Sequence, residues 1–252
     1  MMSNQTKDQL QALRLFGMAK ALDEQEHCAD INELSFLERL AQLVDRELLM
    51  REERRTSRCL QRARLKQPAC LEDVNYRYPR GLDKKTFLEL ASCRWLHAKR
   101  NLIITGATGL GKTWLSCALA NKACREGFST LYCRVTRLLH ELATARVDGT
   151  YLKFLSNLEK TDLIVLDDWG LAILDGQAQQ DLLEVLDDRV GRRSTLVTSQ
   201  LPVSKWHDMI GDPTVADALL DRIVGTATKI QLKGASMRVS EPDASELPSE
   251  PL

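Results

Sequence analysis

The sequence is poor in aromatic residues, carries no net charge and contains no long apolar run. Aromatic side chains make up 5% of its 252 residues, so we expect no broad surface for stacking nucleic-acid bases. Lys plus Arg number 35, as do Asp plus Glu, which excludes a histone-like protein but not local charged patches. Because no stretch reaches about 18 apolar residues, we expect neither a membrane-spanning helix nor a membrane partner.

Metal-binding cysteine motifs and a targeting segment are also missing. None of the seven cysteines forms a C-x-x-C pair and no histidine accompanies such a pair, so no zinc site is predicted. An odd, scattered set of thiols is typical of reduced cysteines in a cytosolic chain, several of which pack as small apolar groups. The first residues, MMSNQTKDQLQ, lack the apolar core of a signal peptide, and we therefore expect a cytoplasmic protein.

Three zones of different composition divide the chain. Residues 1–75 carry apolar residues at helical spacing, which predicts a helical N-terminal domain for oligomer, DNA or partner contacts. The segment YRYPRGLDKK (76–85) interrupts this pattern and begins a second domain, predicted over 76–239. Residues 240–252 are acidic and rich in proline, and they are predicted to form a disordered tail.

Apolar segments alternate with helical patterns in the second zone. Strands are predicted over residues 101–105, 130–135, 163–167, 195–199 and 229–232. Helices are predicted over residues 112–124, 136–145, 151–159, 177–190 and 215–223. This alternation predicts an α/β fold whose parallel sheet is covered by helices on both faces. In the first zone, Ser35 followed by Glu38 fits a capping box at the start of a helix.

The segment GATGLGKTW follows the first predicted strand and opens the helix after it. It matches the phosphate-binding pattern G-x-x-x-x-G-K-[ST]. Its glycines let backbone amides turn toward a phosphate, and the helix directs its positive end to the same point. Lys112 would supply charge to the outer phosphates and the Thr113 hydroxyl would bind Mg²⁺. The sequence thus predicts ATP and Mg²⁺ as cofactors, contacted by Gly106, Ala107, Thr108, Gly109, Leu110, Gly111, Lys112, Thr113 and Trp114.

Two later predicted strands end in polar residues. Asp167 is predicted to hold Mg²⁺ through water and Asp168 to polarise the attacking water, although Asp168 could instead cap the next turn. Gln200 would face the γ-phosphate if its strand lies between the other two; ordinary turn chemistry before Pro202 is the alternative. Such groups gather at the carboxyl ends of parallel strands, where ligands bind.

A basic segment, REERRTSRCLQRARLK, covers residues 51–66. Wound as a helix, it places six cations on an arc of roughly 120° over about 22 Å, and Glu52 and Glu53 point away from that arc. We predict a sequence-neutral contact with the phosphates of double-stranded DNA, with a merely solvated helix face as the alternative. The predicted DNA-binding residues are Arg51, Arg54, Arg55, Arg58, Arg62 and Lys66.

Taken together, these blocks resemble the IstB-like family of AAA+ ATPases, the helper proteins of insertion-sequence transposition and relatives of the DnaC helicase loaders. The matching blocks are LSFLERLAQLVDRE, KQPACLEDVNYRYPRGLD, NLIITGATGLGKTWLSCALANKACREG, LIVLDDWGL, RRSTLVTSQLPVSKWHDMIGDPTVADALLDR and LKGASMR. The resemblance implies five parallel strands in the order 5-1-4-3-2, and ATP-dependent assembly on DNA. It also implies that a transposase partner selects the target.

The resemblance further implies roles for the acidic pair and for an arginine. Asp167 and Asp168 match the metal-binding and catalytic acids, and aspartate rather than glutamate at the second position implies slow hydrolysis. Arg222 in LLDRIVG matches an arginine finger that reaches the nucleotide of a neighbouring subunit. Its alternative is a surface ion pair with Asp217 or Asp221.

Two further positions depart from the family pattern. Gln200 falls where relatives often have a sensor asparagine. Arg238 in GASMR resembles a sensor arginine that would contact the nucleotide, but the helical lid that follows it in full AAA+ proteins is expected to be absent.

The leading prediction is an ATP-dependent, DNA-binding helper of transposition. ATP would join subunits into a homo-oligomer through Arg222, the oligomer would hold duplex DNA, and it would recruit or stimulate a transposase. Slow, DNA-stimulated ATP hydrolysis would reset it. Two alternatives stay open: a replicative helicase loader of the DnaC type, and a P-loop kinase acting on a small molecule.

Overall fold

The computed structural model describes residues 2–171 and 174–237. They fall into two compact units that divide between Cys59 and Leu60, ahead of the boundary predicted at residue 75. Residues that follow the division belong with the sheet, since Ala69 and Val74 are buried in its core. Among the described helices, none combines the length and apolar composition that a bilayer crossing requires. The predicted tail lies outside the described residues.

The first unit is helical, as predicted. It contains α1 (Met2–Ala12), α2 (Phe16–Glu26), a 3-10 turn (Ala29–Glu33) and most of α3 (Phe36–Ala63).

Hydrogen bonds at helix ends hold the first unit together. The predicted capping box is confirmed, because Glu38 accepts from the Ser35 amide at 2.8 Å and the Glu38 amide donates to Ser35 Oγ at 3.4 Å. The buried Glu47 carboxylate accepts from the amides of Gly17 at 2.6 Å and Met18 at 3.3 Å, which satisfies free donors at the start of α2.

The second unit alternates strands with helices. Its strands are β1 (Leu102–Thr105), β2 (Thr130–Arg134), β3 (Leu163–Trp169), β4 (Ser194–Ser199) and β5 (Thr228–Gln231). Its helices are α4 (Lys84–Ala91), α5 (Arg94–His97), α6 (Lys112–Arg125), α7 (Val135–Val147), α8 (Tyr151–Lys160), α9 (Gly176–Asp187), α10 (Trp206–Ile210) and α11 (Pro213–Val224). All five predicted strands and all five predicted helices are confirmed, with small differences at their ends.

The five strands form one parallel sheet in the order β2-β3-β4-β1-β5, which confirms the expected 5-1-4-3-2 order. One face packs on α4, α5 and α6, and the other face packs on α7 to α11. Successive residues of β3 alternate between these two cores, because side chains of a strand point to opposite faces in turn. Leu163 and Val165 face the first core, whereas Ile164 and Leu166 face the second.

A β-bulge interrupts this alternation at the end of β3. Between Leu166 and Trp169, two residues of β3 oppose the single residue Thr198 of β4. The extra residue is Asp168, whose φ is 63°, and the bulge returns Trp169 to the second core. The adjacent acids Asp167 and Asp168 therefore do not simply alternate across the sheet.

Candidate nucleotide site

The turn between β1 and α6 contains the predicted phosphate loop. It leaves the sheet at Gly106, whose φ is 152°. A Cβ atom at this position would lie 2.7 Å from the Leu232 carbonyl oxygen, so the close approach of the chain after β5 requires glycine. The Leu110 side chain is buried in the hydrophobic core, which fixes the loop between strand and helix.

Lys112 begins α6 and turns back into this loop. Its ammonium group donates to the carbonyl oxygens of Gly106 at 2.7 Å and Ala107 at 2.9 Å. The residue is only 8% exposed. A cation is thus held inside a ring of backbone groups at the amino end of a helix, an arrangement that suits phosphate oxygens.

Asp167 is fully buried and accepts hydrogen bonds from three hydroxyl groups. Thr113 Oγ1 lies 3.0 Å from both carboxylate oxygens, Tyr132 donates to Oδ2 at 2.5 Å, and Thr198 donates to Oδ1. Burial, together with this bond to Asp167, raises the pKa of Tyr132 above its usual value. A hydroxyl and a carboxylate held together at the strand ends are oxygen donors of the kind Mg²⁺ takes, so the residues present fit the predicted metal.

Asp168 occupies the bulge beside it. Its side chain is 27% exposed and its Oδ2 lies 3.6 Å from Nε of Arg134. Its amide donates to Thr198 Oγ1 at 3.3 Å. The left-handed backbone at Asp168 aims this carboxylate into the cavity beside the phosphate loop rather than into either core.

Gln200 meets the phosphate loop directly. Its strand, β4, lies between β1 and β3, the condition on which its predicted place depended. Thr108 Oγ1 donates to Gln200 Oε1 at 2.7 Å. The glutamine is therefore part of the same cluster as the loop.

The prediction that Lys66 continues a basic helical face is wrong, because α3 ends at Ala63 and Arg64 adopts a left-handed φ of 51°. Lys66 turns instead to the nucleotide site, where its Nζ lies 3.9 Å from Asp167 Oδ2. The other five predicted DNA-contacting residues lie on α3 and are exposed: Arg51, Arg54, Arg55, Arg58 and Arg62.

One of these five arginines is partly neutralised within its own helix. Arg51 Nε lies 2.6 Å from Glu47 Oε1, a carboxylate that the sequence did not single out. Arg54 lies 4.7 Å over the ring of Phe16, and Arg58 Nε donates to the Arg54 carbonyl oxygen. Arg54 and Arg58 are thus held by local contacts that leave their charge exposed.

Arg222 lies in the last turn of α11 and pairs within its own chain with Asp187, at 2.8 Å from Nε to Oδ1. Neither Asp217 nor Asp221, the expected alternative partners, makes this contact. Arg222 Nη1 also donates to the Ala218 carbonyl oxygen at 2.8 Å, and the side chain keeps 26% of its surface exposed.

A cavity of about 470 Å³ lies at these strand ends. The predicted residues that line it are Thr108, Gly109, Gly111, Lys112, Thr113, Trp114, Asp168 and Gln200. Sequence reasoning gave no role to six other lining residues, although all six lie within the blocks that resemble the family: Gln67, Asp73, Asn75, Arg80, Leu171 and Met237. Of the remaining predicted contacts, Gly106 and Ala107 accept hydrogen bonds from Lys112 and Leu110 packs in the core. Arg238 lies outside the described residues.

Comparison with known proteins agrees with this geometry. The family model described as IstB-like ATP binding protein matches residues 8–245. An insertion-sequence ATP-binding protein of Sinorhizobium fredii strain NGR234, y4pL, is 49% identical over 238 residues, which cover 94% of this chain and 97% of that protein. The ATP-binding protein of insertion sequence IS1162 from Pseudomonas fluorescens is 51% identical over 205 residues, covering 81% of this chain and 89% of its own length.

Solved structures show the same fold at low sequence identity. DnaI is 23% identical with a TM-score of 0.57, covering 66% of this chain and 92% of that one. The DnaC helicase loader is 18% identical with a TM-score of 0.54, covering 66% of this chain and 97% of that one. The predicted P-loop AAA+ fold is confirmed, and the chain belongs to the IstB-like ATP binding protein family.

Proposed function

We propose that this protein is an ATP-dependent, DNA-binding ATPase that assists the transposition of an insertion sequence. It would assemble on duplex DNA as a homo-oligomer and recruit or stimulate a transposase. The observation that carries the proposal is the cluster at the strand ends: Lys112 and Thr113 line one cavity, and the buried Asp167 carboxylate accepts from Thr113 directly behind it.

Nucleotide binding follows from the chemistry of this cluster. The loop amides and the Lys112 ammonium bind the phosphate oxygens, for which Lys112 exchanges its present carbonyl partners. Thr113 and Asp167 would hold Mg²⁺, which neutralises phosphate charge when bound. Tyr132 and Thr198 keep the Asp167 carboxylate oriented toward Thr113.

Hydrolysis requires a base and further positive charge. Asp168 has the exposure and direction to accept a proton from an attacking water, and Gln200 lies where it can orient that water. Arg222 sits at the end of α11 and, within its own chain, contacts Asp187. We assign it to the nucleotide of a neighbouring subunit, which would make hydrolysis depend on assembly.

DNA binding is assigned to the exposed arginines of α3. Phosphate contacts from such a row give affinity without base readout and depend steeply on salt. The transposase is proposed as a partner because the family resemblance implies one; the names of the relatives say only that they are ATP-binding proteins of insertion sequences. The likeness to DnaI and DnaC shows only the fold, so we propose no helicase partner.

The proposal is tested by light scattering after size-exclusion chromatography, with ATP and Mg²⁺, with and without a duplex of random sequence. We expect the particle to grow with ATP and to grow further with DNA. Lys112→Ala should stay small and bind no ATP. A wild-type protein that stays monomeric in all conditions, or that turns over ATP quickly as a monomer on a metabolite, would overturn the proposal.

A further inference from the structure

The wall of the nucleotide cavity contains an arginine to which the sequence analysis assigned no role. Arg80 lies just before α4 and is only 2% exposed. It is among the residues that line the cavity beside the phosphate loop. A cation buried this deeply requires an explanation, because burial of an unpaired charge is costly.

The contacts of Arg80 leave its charge without a counter-charge. Nη1 donates to the Leu110 carbonyl oxygen at 3.2 Å and to Met237 Sδ at 3.3 Å, and Nη2 donates to the Asn75 carbonyl oxygen at 3.3 Å. Among the described residues, Nε has no hydrogen-bond partner, and no carboxylate forms an ion pair with the guanidinium. A thioether is a weak acceptor, so the five donors of Arg80 are poorly satisfied.

A second arginine of the described residues, Arg189, is buried as deeply and has better hydrogen-bond partners. It is also 2% exposed, but its partners Thr161 and Ser194 place it at the amino ends of β3 and β4. Its guanidinium donates to four acceptors at 3.2 Å or less: the carbonyl oxygens of Leu158, Thr161 and Ser194, and Thr195 Oγ1. Arg189 therefore has a structural role, because it joins several loops by hydrogen bonds. The contacts of Arg80 do not explain its burial in this way.

The phosphate loop lies directly against Arg80. Gly111 has a φ of 82°, and a Cβ atom there would lie 2.7 Å from Arg80 Nη1. Glycine at this position thus serves both the left-handed turn and the approach of the guanidinium. Arg80 consequently lies against the residue that directly precedes Lys112, where phosphate oxygens are expected to bind.

We propose that Arg80 binds the phosphate groups of the nucleotide, as a second cation beside Lys112 on the wall formed by the segment before α4. This inference rests on the proposed nucleotide binding. The planar fork of arginine presents paired donors that match phosphate oxygens. The nucleotide supplies the counter-charge that the described chain lacks, so the cost of burying Arg80 is offset only in the bound state.

The test uses the variant Arg80→Gln. It measures the affinity of the variant for fluorescent ATP and ADP analogues, and its melting temperature without nucleotide. We expect affinity for both analogues to fall by about tenfold or more, a loss of about 1.4 kcal/mol. The melting temperature without nucleotide should stay equal to that of the wild type or rise, because an uncompensated buried charge is removed. A structural arginine would produce the reverse pattern.

Arg189→Gln is the matched control, since it removes an equally buried arginine far from the loop. It should melt at a lower temperature and keep wild-type affinity in its folded form. If Arg80→Gln does not fold, Arg80→Lys carries the test and should bind several-fold more weakly. Unchanged affinity in a folded Arg80 variant overturns the inference, whereas a wild-type protein that binds neither analogue overturns the proposed function instead.

Discussion

The Asp167 carboxylate lies at the centre of the candidate site and has no exposed surface. Three hydroxyl groups donate to it, and the Lys66 ammonium is the nearest cation in an ion pair with it, at 3.9 Å. Hydroxyl donors orient a carboxylate without neutralising it, and the lysine is too far away for a direct hydrogen bond. The negative charge is therefore kept available beside Thr113, as a metal ligand requires.

Replacing Asp167 by asparagine keeps the size of the side chain and removes its charge. Mg²⁺ should raise the nucleotide affinity of this variant roughly tenfold less, or weaker still, than it raises that of the wild type. The reason is that the carboxylate is the charged ligand proposed for the metal. Titration of ADP binding with and without Mg²⁺ measures this directly. Tyr132→Phe is the control: it keeps the carboxylate and removes one hydroxyl that orients it, so it should lose less of the Mg²⁺ effect than Asp167→Asn. A variant Asp167→Asn with the full Mg²⁺ effect would contradict the metal assignment.

How far individual residues can be predicted depends on whether a motif spacing marks them. Lys112, Thr113 and Asp167 stand at positions where strand, loop and helix dictate the chemistry, and the structure brings them together. No motif spacing assigns a role to Arg80, because it approaches the loop from a segment without regular structure. The sequence pattern placed Lys66 on a helix that in fact ends at Ala63, before the left-handed residue Arg64. A glycine usually marks such a helix end, and none is present here.

Helix α3 illustrates what helical winding can and cannot predict. The winding placed Arg54, Arg55 and Arg58 near one another, and all three are exposed on a continuous helix. It did not reveal that Arg51 is paired with Glu47, a residue on the preceding turn. The exposed positive charge that remains for DNA on α3 therefore lies on the turns after Arg51.

Reversing Arg54, Arg55 and Arg58 to glutamate should weaken DNA binding uniformly across sequences. Three lost phosphate contacts reduce the salt slope of log K by roughly three units, since each contact contributes about 0.9. Duplex binding measured over a range of salt concentrations tests this. Reversal of three exposed cations elsewhere, Lys85, Arg94 and Arg100, controls for net charge. Equal effects from the two triple variants would remove α3 as the DNA contact.

The sheet elements were the most predictable part of the chain, and the bulge in β3 was the least. Apolar runs such as 163–166 identify strands because a parallel strand covered on both faces is mostly apolar along its length. A bulge depends on the pairing of two strands, which are remote in sequence, so no local pattern announces it. Yet this bulge decides the direction of Asp168, and hence the proposed base.

The proposed assembly requires that Arg222 exchange one partner for another. Within the chain it is held by Asp187, at the end of α9, and Asn101 Nδ2 donates to the carbonyl oxygen of Arg222 at 2.9 Å. An ion pair with 62% of the aspartate side chain exposed contributes little, about 0–1 kcal/mol, so its loss is easily offset at an interface. The backbone anchor remains while the guanidinium is free to turn.

Two variants, Arg222→Ala and Asp187→Asn, distinguish two roles for Arg222: an arginine finger and a structural ion pair. Arg222→Ala should keep nucleotide affinity and lose hydrolysis by ~10³-fold or more. Asp187→Asn removes the in-chain partner and should hydrolyse ATP at the wild-type rate or faster. Steady-state phosphate release with saturating DNA compares them. Equal losses in both variants would return Arg222 to a purely structural role.

The order of the sheet followed from the family resemblance, because connections along a sequence do not fix which parallel strands lie side by side. Once β4 lies between β1 and β3, the positions of Gln200 and Asp167 on one edge follow from the chain direction alone. Assembly, by contrast, is a property of several chains and has to be measured on them.

Mixing two inactive variants tests most directly whether one protomer completes the nucleotide site of another. Arg222→Ala chains keep the phosphate loop and lack the finger, whereas Lys112→Ala chains lack the loop charge and keep the finger. We predict that an equimolar mixture with duplex DNA and Mg²⁺ recovers ATP hydrolysis that neither variant shows alone. A mixture no more active than the sum of its two components would contradict the account.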